Sequence, residues 1–302
     1  MRIAITGGTG FVGRHLTRSL LADGHEVVLV ARCVDLRDTS MRQLPNVRFV
    51  SASTDDEPRL AEAFADCDAV AHCAGINREV GAQTYQRVHV EGTRNVVAAA
   101  RQVGVKRIAM LSFLNARLNC GSAYHETKWA AEQLVRESGL PYTILKAGMI
   151  YGNGDHMLSH ISKVVKWVPL FGSVGMREKS VRPVAVEDVV RILSAALLTP
   201  QLEGQTLAVV GPEELGLGAV VKRVGKALRR PVLVLPTPVL ALQVMAALSE
   251  RLLPTPLVTQ AQVRMLAEGI STPLPDSSLP PPELQPQTPL STEQIRRGLG
   301  LA

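Results

Sequence analysis

The stretch "RIAITGGTGFVGRHLTRSLLADG", residues 2–24, decides the fold. Residues 2–8 form a short apolar run that stops at glycines, the pattern of a buried strand. Residues 12–24 repeat apolar side chains at helical spacing and close on Gly24, a natural helix stop. Between the two stand Gly7, Gly10 and Gly13, three apart. A strand, a glycine turn and a helix in that order bring free backbone N–H groups and the positive end of a helix dipole to one point, where phosphate can be held. One glycine permits the tight turn, one lets the backbone approach a pyrophosphate, and the third lets the helix pack on the sheet. A glycine triplet alone is weak. One that follows a strand and opens a helix predicts a dinucleotide site.

Outward from this unit the same alternation repeats. Strands are expected at 26–32, 47–53, 69–75, 106–112 and 141–148, with helices at 58–67, 91–104 and from about 124 to 138. Regular alternation implies a parallel sheet covered by helices on both faces, so the fold class is α/β, a Rossmann-type doubly wound sheet. The expected division is a dinucleotide-binding domain over 1–150 and a smaller C-terminal lobe over 151–302, with strands returning to the main domain. In the second half, 179–198 reads as a strand and then a helix, 205–211 as a strand, and 212–270 as mostly helical. A tail over about 271–291, rich in proline, serine and glutamine, is expected to be extended or loosely packed.

Composition narrows the function. The chain has 302 residues, 46% of them hydrophobic, enough for a large packed core. Its formal charge is +6, but the charges are scattered and aromatics are only 4%, so the basic stripe with interleaved aromatics of a nucleic-acid binder is missing. Cys33, Cys67, Cys73 and Cys120 show no CxxC spacing, which argues against a zinc site and suits a reducing compartment. The N-terminus has no apolar signal region, and the expected location is cytoplasmic. His156 and His160 lie one helical turn apart beside Asp155, but without a third ligand they read as a polar helix face, and no metal is expected. The apolar run at 238–248 reads as a core helix or subunit interface, or else as a greasy surface meeting a membrane or protein complex.

The second strand selects the dinucleotide. An NAD site wants a carboxylate at that strand's end to hold the ribose hydroxyls. Here the strand ends in Ala31 and Arg32, and no carboxylate follows until Asp35. An arginine can pair with the 2′-phosphate of NADP, so NADP is favoured and NAD stays open. The plain alternative is that Arg32 is a solvated loop residue.

Four pieces in the right order carry a resemblance: "TGGTGFVG" (6–13), "AVAHCAG" (69–75), "VHVEGTRNVVAAAR" (88–101), and "YHETK" (124–128) followed by "LPYTILKAGMIYG" (140–152). On these the chain resembles the short-chain dehydrogenase/reductase superfamily in its extended or atypical, epimerase/dehydratase-like branch. Further on, "VPLFGSVGMREKSVRPVAVEDVV" (168–190) and "PTPLVTQAQVRMLAEG" (254–269) are similar to the branch holding the large accessory subunit of respiratory complex I and its bacterial relatives. The resemblance implies that Tyr124 donates or takes the proton as hydride moves, and that Lys128 holds the ribose and lowers the tyrosine pKa. It implies a cofactor-binding set of Gly7, Thr9, Gly10, Phe11, Val12, Gly13 and Arg32, with Cys73, Ala74 and Gly75 after the fourth strand, and with Ala147 and Met149 at the pocket. It also implies a hydroxyl near the end of the fifth strand to bind the substrate oxygen. Ser112 is the candidate, Ser122 a second, and either could instead cap backbone groups. Phe113 and Leu114 replace the polar residues often found there. Ser51 and Ala52 stand where relatives often have Gly-Asp at the adenine, and His89 replaces a common asparagine, as a proton relay or as a packed histidine.

Two functions follow. One is an oxidoreductase or epimerase-like enzyme using NADP(H) on a small or lipophilic carbonyl or hydroxyl compound. The other is a non-catalytic dinucleotide-binding subunit or assembly factor tied to a respiratory complex or quinone pathway. The substrate is not readable. A homodimer through the helices at 91–104 and 124–138 is an expectation by analogy with relatives.

Overall fold

The computed structural model describes residues 1–32, 39–252 and 260–301. Cys33 and Asp35, and the start of the 254–269 segment, lie outside the described residues. In chain order the first half runs β1 (Arg2–Thr6), α1 (Phe11–Ala22), β2 (Glu26–Ala31), β3 (Val47–Ser51), α2 (Glu57–Phe64) and β4 (Ala69–His72). A π-helical turn, Gln86–Glu91, then leads into α3 (Gly92–Gln102), followed by β5 (Arg107–Phe113), α4 (Ala123–Arg136) and β6 (Tyr142–Ala147).

One seven-stranded sheet holds these strands in the order β3-β2-β1-β4-β5-β6, with Gln205–Val209 as the seventh strand beside β6. The neighbours from β3 to β6 all pair in parallel. Such a sheet is covered on both faces, and Ile3, Ala4 and Ile5 of β1 are accordingly all fully buried. One core layer sets Leu60, Phe64, Val96 and Val135 of the helices against Val28, Val70 and Ile144 of the sheet. Strand order reverses between β1 and β4, and at such a switch point a crevice opens beyond the carboxyl ends of the strands.

The chain divides into two compact units. The first comprises 1–147, 189–208 and 274–284, and the second 148–188, 209–273 and 285–302. In the second, Leu170–Val174 pairs in parallel with Leu233–Thr237. That second strand departs from the mostly helical expectation for 212–270. It carries Pro236, which a strand bonded on only one side tolerates. The helices there are His156–Trp167, Leu217–Ala227, Val239–Leu252, Gln260–Glu268 and Thr292–Gly298.

The proline-rich tail is extended, as its composition implies, apart from a turn at 275–276 and the short 3₁₀ turn Pro282–Leu284. It is not loose. The Ala208 amide donates to the Ser278 carbonyl at 2.7 Å, the Ser278 amide donates to the Thr206 carbonyl at 3.0 Å, and Asp276 pairs with Lys146 at 2.8 Å. Among the described residues no helix is long and apolar enough to cross a membrane.

Candidate functional site

The turn after β1 is built around the glycines. Gly7 sits at φ +69°, and a Cβ there would come within 2.8 Å of the Ala74 backbone. A Cβ on Gly13 would collide with the Gly7 carbonyl oxygen and stand 2.8 Å from Gly8 Cα. Gly10 is the N-cap of α1, has no side chain to cap it, and donates its own amide to the Gly7 carbonyl at 2.9 Å. The first-turn amides of Phe11, Val12 and Gly13 have no carbonyl within the helix to bond, and no acidic side chain lies in that turn. The cradle thus presents backbone donors and a positive dipole end, with space that any larger side chain would fill. This fits the pyrophosphate of a dinucleotide.

Tyr124 and Lys128 occupy one face of α4, one turn apart, and both are buried. The Lys128 ammonium donates to the Leu111 carbonyl at 3.3 Å and lies 3.1 Å from where a Cβ on Gly75 would stand. Lys128 therefore closes on the loop after β4, which holds Cys73, Ala74 and Gly75. The Tyr124 hydroxyl donates to Asn77 Oδ1 at 3.3 Å. Its ring is boxed by Phe113, Tyr85 and His89, with centroids at 5.4, 5.5 and 5.5 Å, all edge-on. This apolar box desolvates the phenolate and, with the nearby Tyr85 phenol, pushes the Tyr124 pKa well above its ordinary value. The expectation of a tyrosine made more acidic by the lysine is thus reversed by burial. Burial also pulls Lys128 down to about 8, against a smaller upward pull from the Glu132 carboxylate.

Ser112 does not join the pair through its hydroxyl. It donates to Glu132 Oε1 at 2.5 Å, and Glu132 is fully buried between Arg136 at 3.1 Å and Lys146 at 3.5 Å. Successive strand residues point to opposite faces, so the β5 side chain that meets the tyrosine is Phe113. Ser122 is buried at the N-cap of α4 without a side-chain capping bond. Of the remaining expected residues, Thr9, Phe11 and Val12 belong to the cradle turn, Ala147 ends β6, and Met149 belongs to the second unit. Arg32 is exposed just past β2. Asp155 is an N-cap, accepting from the amides of Leu158 at 2.6 Å and Gly152 at 2.7 Å. Among the described residues no cluster of three or more metal-binding side chains occurs.

Two histidines support the site: His89, which the sequence offered as a relay or as a packed residue, and His72, which it did not single out. The His89 ring bridges two neighbours: Nδ1 lies 3.0 Å from the Thr127 hydroxyl, and Nε2 lies 3.1 Å from the Ile76 carbonyl and 3.3 Å from the Ile76 amide. Burial, with the Lys128 cation beside it, holds His89 neutral, with its pKa lowered to about 2. It is a packed histidine that shapes the 76–77 loop, stacked on Tyr85 at 5.4 Å. A hydroxyl has one proton, and Thr93 gives its own to the His89 carbonyl, so His72 Nε2 donates to Thr93 at 2.9 Å and His72 Nδ1 accepts from Thr6 at 2.7 Å. This chain ties the ends of β1 and β4 to the π-helical turn. Only the position of Thr6 and His72 at strand ends could have hinted at it.

Comparison with known proteins adds to this geometry. A family model described as NAD(P)H-binding matches residues 7–164. An uncharacterized protein of Mycobacterium tuberculosis is 30% identical over 241 residues, 80% of this chain and 25% of that protein. The mitochondrial NADH dehydrogenase [ubiquinone] 1 alpha subcomplex subunit 9 of Rattus norvegicus is 27% identical over 78% of this chain and 63% of its own. A ceramide reductase of Caulobacter vibrioides is 32% identical over 66% of this chain and 62% of its own. The chain thus spans a quarter of the length of the mycobacterial relative and less than two thirds of the other two. Among solved structures, MoeE5 in complex with UDP-glucose and NAD superposes with a TM-score of 0.75 at 18% identity, covering 100% of this chain and 98% of that one.

Proposed function

The chain belongs to the NAD(P)H-binding family, in the extended branch of the short-chain dehydrogenase/reductase superfamily, and from that premise we propose that it is an NADP(H)-dependent oxidoreductase or epimerase-like enzyme. Its substrate class is a small or lipophilic carbonyl or hydroxyl compound. The observation that carries this reading is the convergence of Lys128 on Gly75, one helical turn from Tyr124, beside an intact glycine cradle. A bound dinucleotide supplies the chemistry of hydride transfer to or from a carbon that bears oxygen. Tyr124, held as the neutral phenol by burial, is the proton donor to a carbonyl oxygen as that carbon is reduced. Lys128 places a positive charge toward the cofactor ribose. Phe113 gives the substrate side of the tyrosine an apolar wall, which suits a lipophilic compound. Arg32, exposed past β2, is the partner for a 2′-phosphate. Ser112 acts through Glu132, as a positioning residue.

A second reading is a dinucleotide-binding subunit or assembly factor without turnover. The commitment of the Ser112 hydroxyl to Glu132 favours it, as does the similarity to the rat complex I subunit. Titration of the purified protein with NADPH and NADH, followed by a screen of carbonyl compounds with Tyr124→Phe as control, separates the two. The enzyme reading expects NADPH to bind tighter, Arg32→Ala to narrow that preference by about tenfold, and turnover that Tyr124→Phe lowers at least about a hundredfold. Tight binding with no turnover on any carbonyl moves the subunit reading to first place. Binding of neither cofactor overturns both.

A further inference from the structure

Helix Val239–Leu252 in the second unit is apolar on its outer side as well as its inner one. Leu242 and Ala246 are buried, and Leu242 lies 3.9 Å from where a Cβ on Gly172 would stand. The opposite stripe, Leu240, Val244 and Leu248, is 72, 53 and 54% exposed, and Met245 beside it is 55% exposed. Gln243 is the one polar residue between Leu240 and Leu248. A helix whose far side faces water is normally polar there.

The apolar surface continues onto the strand pair beneath. Leu170 is in register with Leu233, and Gly172 with Leu235. Directly paired residues share a face, so Leu233 and Leu235 lie on the face that Leu242 covers at Gly172. The other face is turned toward helix Leu217–Ala227, where Val234 stands 3.0 Å from a Cβ position on Gly218. Both leucines are exposed, as are Trp167, at 86%, and Val168 just ahead of Leu170. Beside Trp167, a hollow of about 670 Å³ is lined by Lys166, Arg229, Arg230 and Arg296. The second unit as a whole holds fourteen Lys and Arg against nine Asp and Glu, whereas the first is near balance at nineteen against eighteen.

We propose that this face docks, lying in the plane, on an anionic phospholipid bilayer. Fourteen helical residues span about 21 Å, short of the about 30 Å hydrocarbon core, so the helix rests in the interface. Leu240, Val244, Met245 and Leu248 enter the acyl boundary. Trp167 sits at the headgroup level, where its amphipathic ring is favoured. Lys166, Arg229 and Arg230 meet lipid phosphates. Charge argues for lipid over a second copy of this chain, because a two-fold interface would set the same cationic rims against each other.

Flotation of the full chain with vesicles tests this, using phosphatidylcholine alone or with about one third phosphatidylglycerol. The expected result is binding to the anionic vesicles at least about tenfold stronger than to the neutral ones, weakened by salt. The chain has two tryptophans, Trp129 and Trp167, so a blue shift in fluorescence on binding should vanish in Trp167→Phe. The double variant Val244→Glu with Leu248→Glu should lose binding at least about tenfold while keeping its melting temperature, since both positions are exposed. Arg229→Glu with Arg230→Glu should abolish the preference for anionic lipid. The proposal is overturned if the wild type floats with neither vesicle. It is equally overturned if light scattering shows a dimer that the glutamate variant dissociates, which would make this a self-association face.

Discussion

At the residue scale the site is governed by burial. Tyr124 and Lys128 are each shifted toward the uncharged form, the tyrosine upward and the lysine down to about 8. Two effects oppose each other at Lys128: loss of water favours the neutral amine, and the Glu132 carboxylate favours the ammonium, with desolvation the larger. Below about pH 8 the lysine carries its charge, and as pH rises through that value the charge is lost. If Lys128 holds the cofactor, NADPH affinity in the free protein falls as pH rises from 7 to 9.5, and Lys128→Met is weaker at pH 7 but flat across that range. Fluorescence titrations at several pH values read this directly, and a wild-type affinity that does not change with pH removes Lys128 from the cofactor. Sequence showed the Tyr124–Lys128 spacing plainly. It could not show that Phe113 rather than Ser112 meets the tyrosine, because adjacent strand residues exchange faces with one step of register.

At the element scale, α4 is tied to the sheet and to the tail through buried charge. Glu132 is fully buried and accepts from Ser112 and Arg136, with Lys146 at 3.5 Å. Lys146, also fully buried, pairs with Asp276 and donates to the Ala116 carbonyl at 2.8 Å. Removing one partner of a buried ionic group leaves the other uncompensated, which costs about 3–5 kcal/mol. Glu132→Ala is expected to cost that much in urea unfolding, since it removes the buried carboxylate that the Ser112 hydroxyl, Arg136 and Lys146 all face. Asp276→Asn should cost less, about 1–2 kcal/mol, because the Asp276 side chain is 41% exposed and Lys146 keeps its other partners. A smaller loss for Glu132→Ala than for Asp276→Asn would contradict this ordering. Of these contacts, Glu132–Arg136 is a local pattern, one helical turn within α4; the others join residues 112, 132, 146 and 276, which lie on different elements.

At the scale of the whole molecule, the two units are interleaved in sequence. The first unit takes in 189–208 and 274–284. These segments supply buried Leu193, Leu197 and Leu207 as well as the seventh strand and the Asp276 partner. A fragment of residues 1–150 therefore lacks part of its own core and one sheet neighbour. Stripping several buried leucines costs about 2–5 kcal/mol each, comparable to the whole stability of a domain. The fragment should show no cooperative melting transition by circular dichroism, while the full chain should show one. A sharp transition in the fragment would make the returning segments dispensable.

By itself, the amino-acid order determined what depends on near neighbours. Apolar alternation set the strands and helices from β1 to β6, the glycine spacing set the cradle turn, and the i to i+4 spacing put Tyr124 and Lys128 on one helix face. These are short-range consequences of backbone sterics and of helical and strand periods. Tertiary structure alone decided the rest. It paired Leu233–Thr237 with Leu170–Val174, 63 residues earlier, gave Ser112 to Glu132, anchored the proline-rich tail through Asp276, and kept His72 and His89 neutral. Each of those outcomes depends on which distant groups are brought together and how far water is excluded from them, and neither is written in any local stretch of the chain.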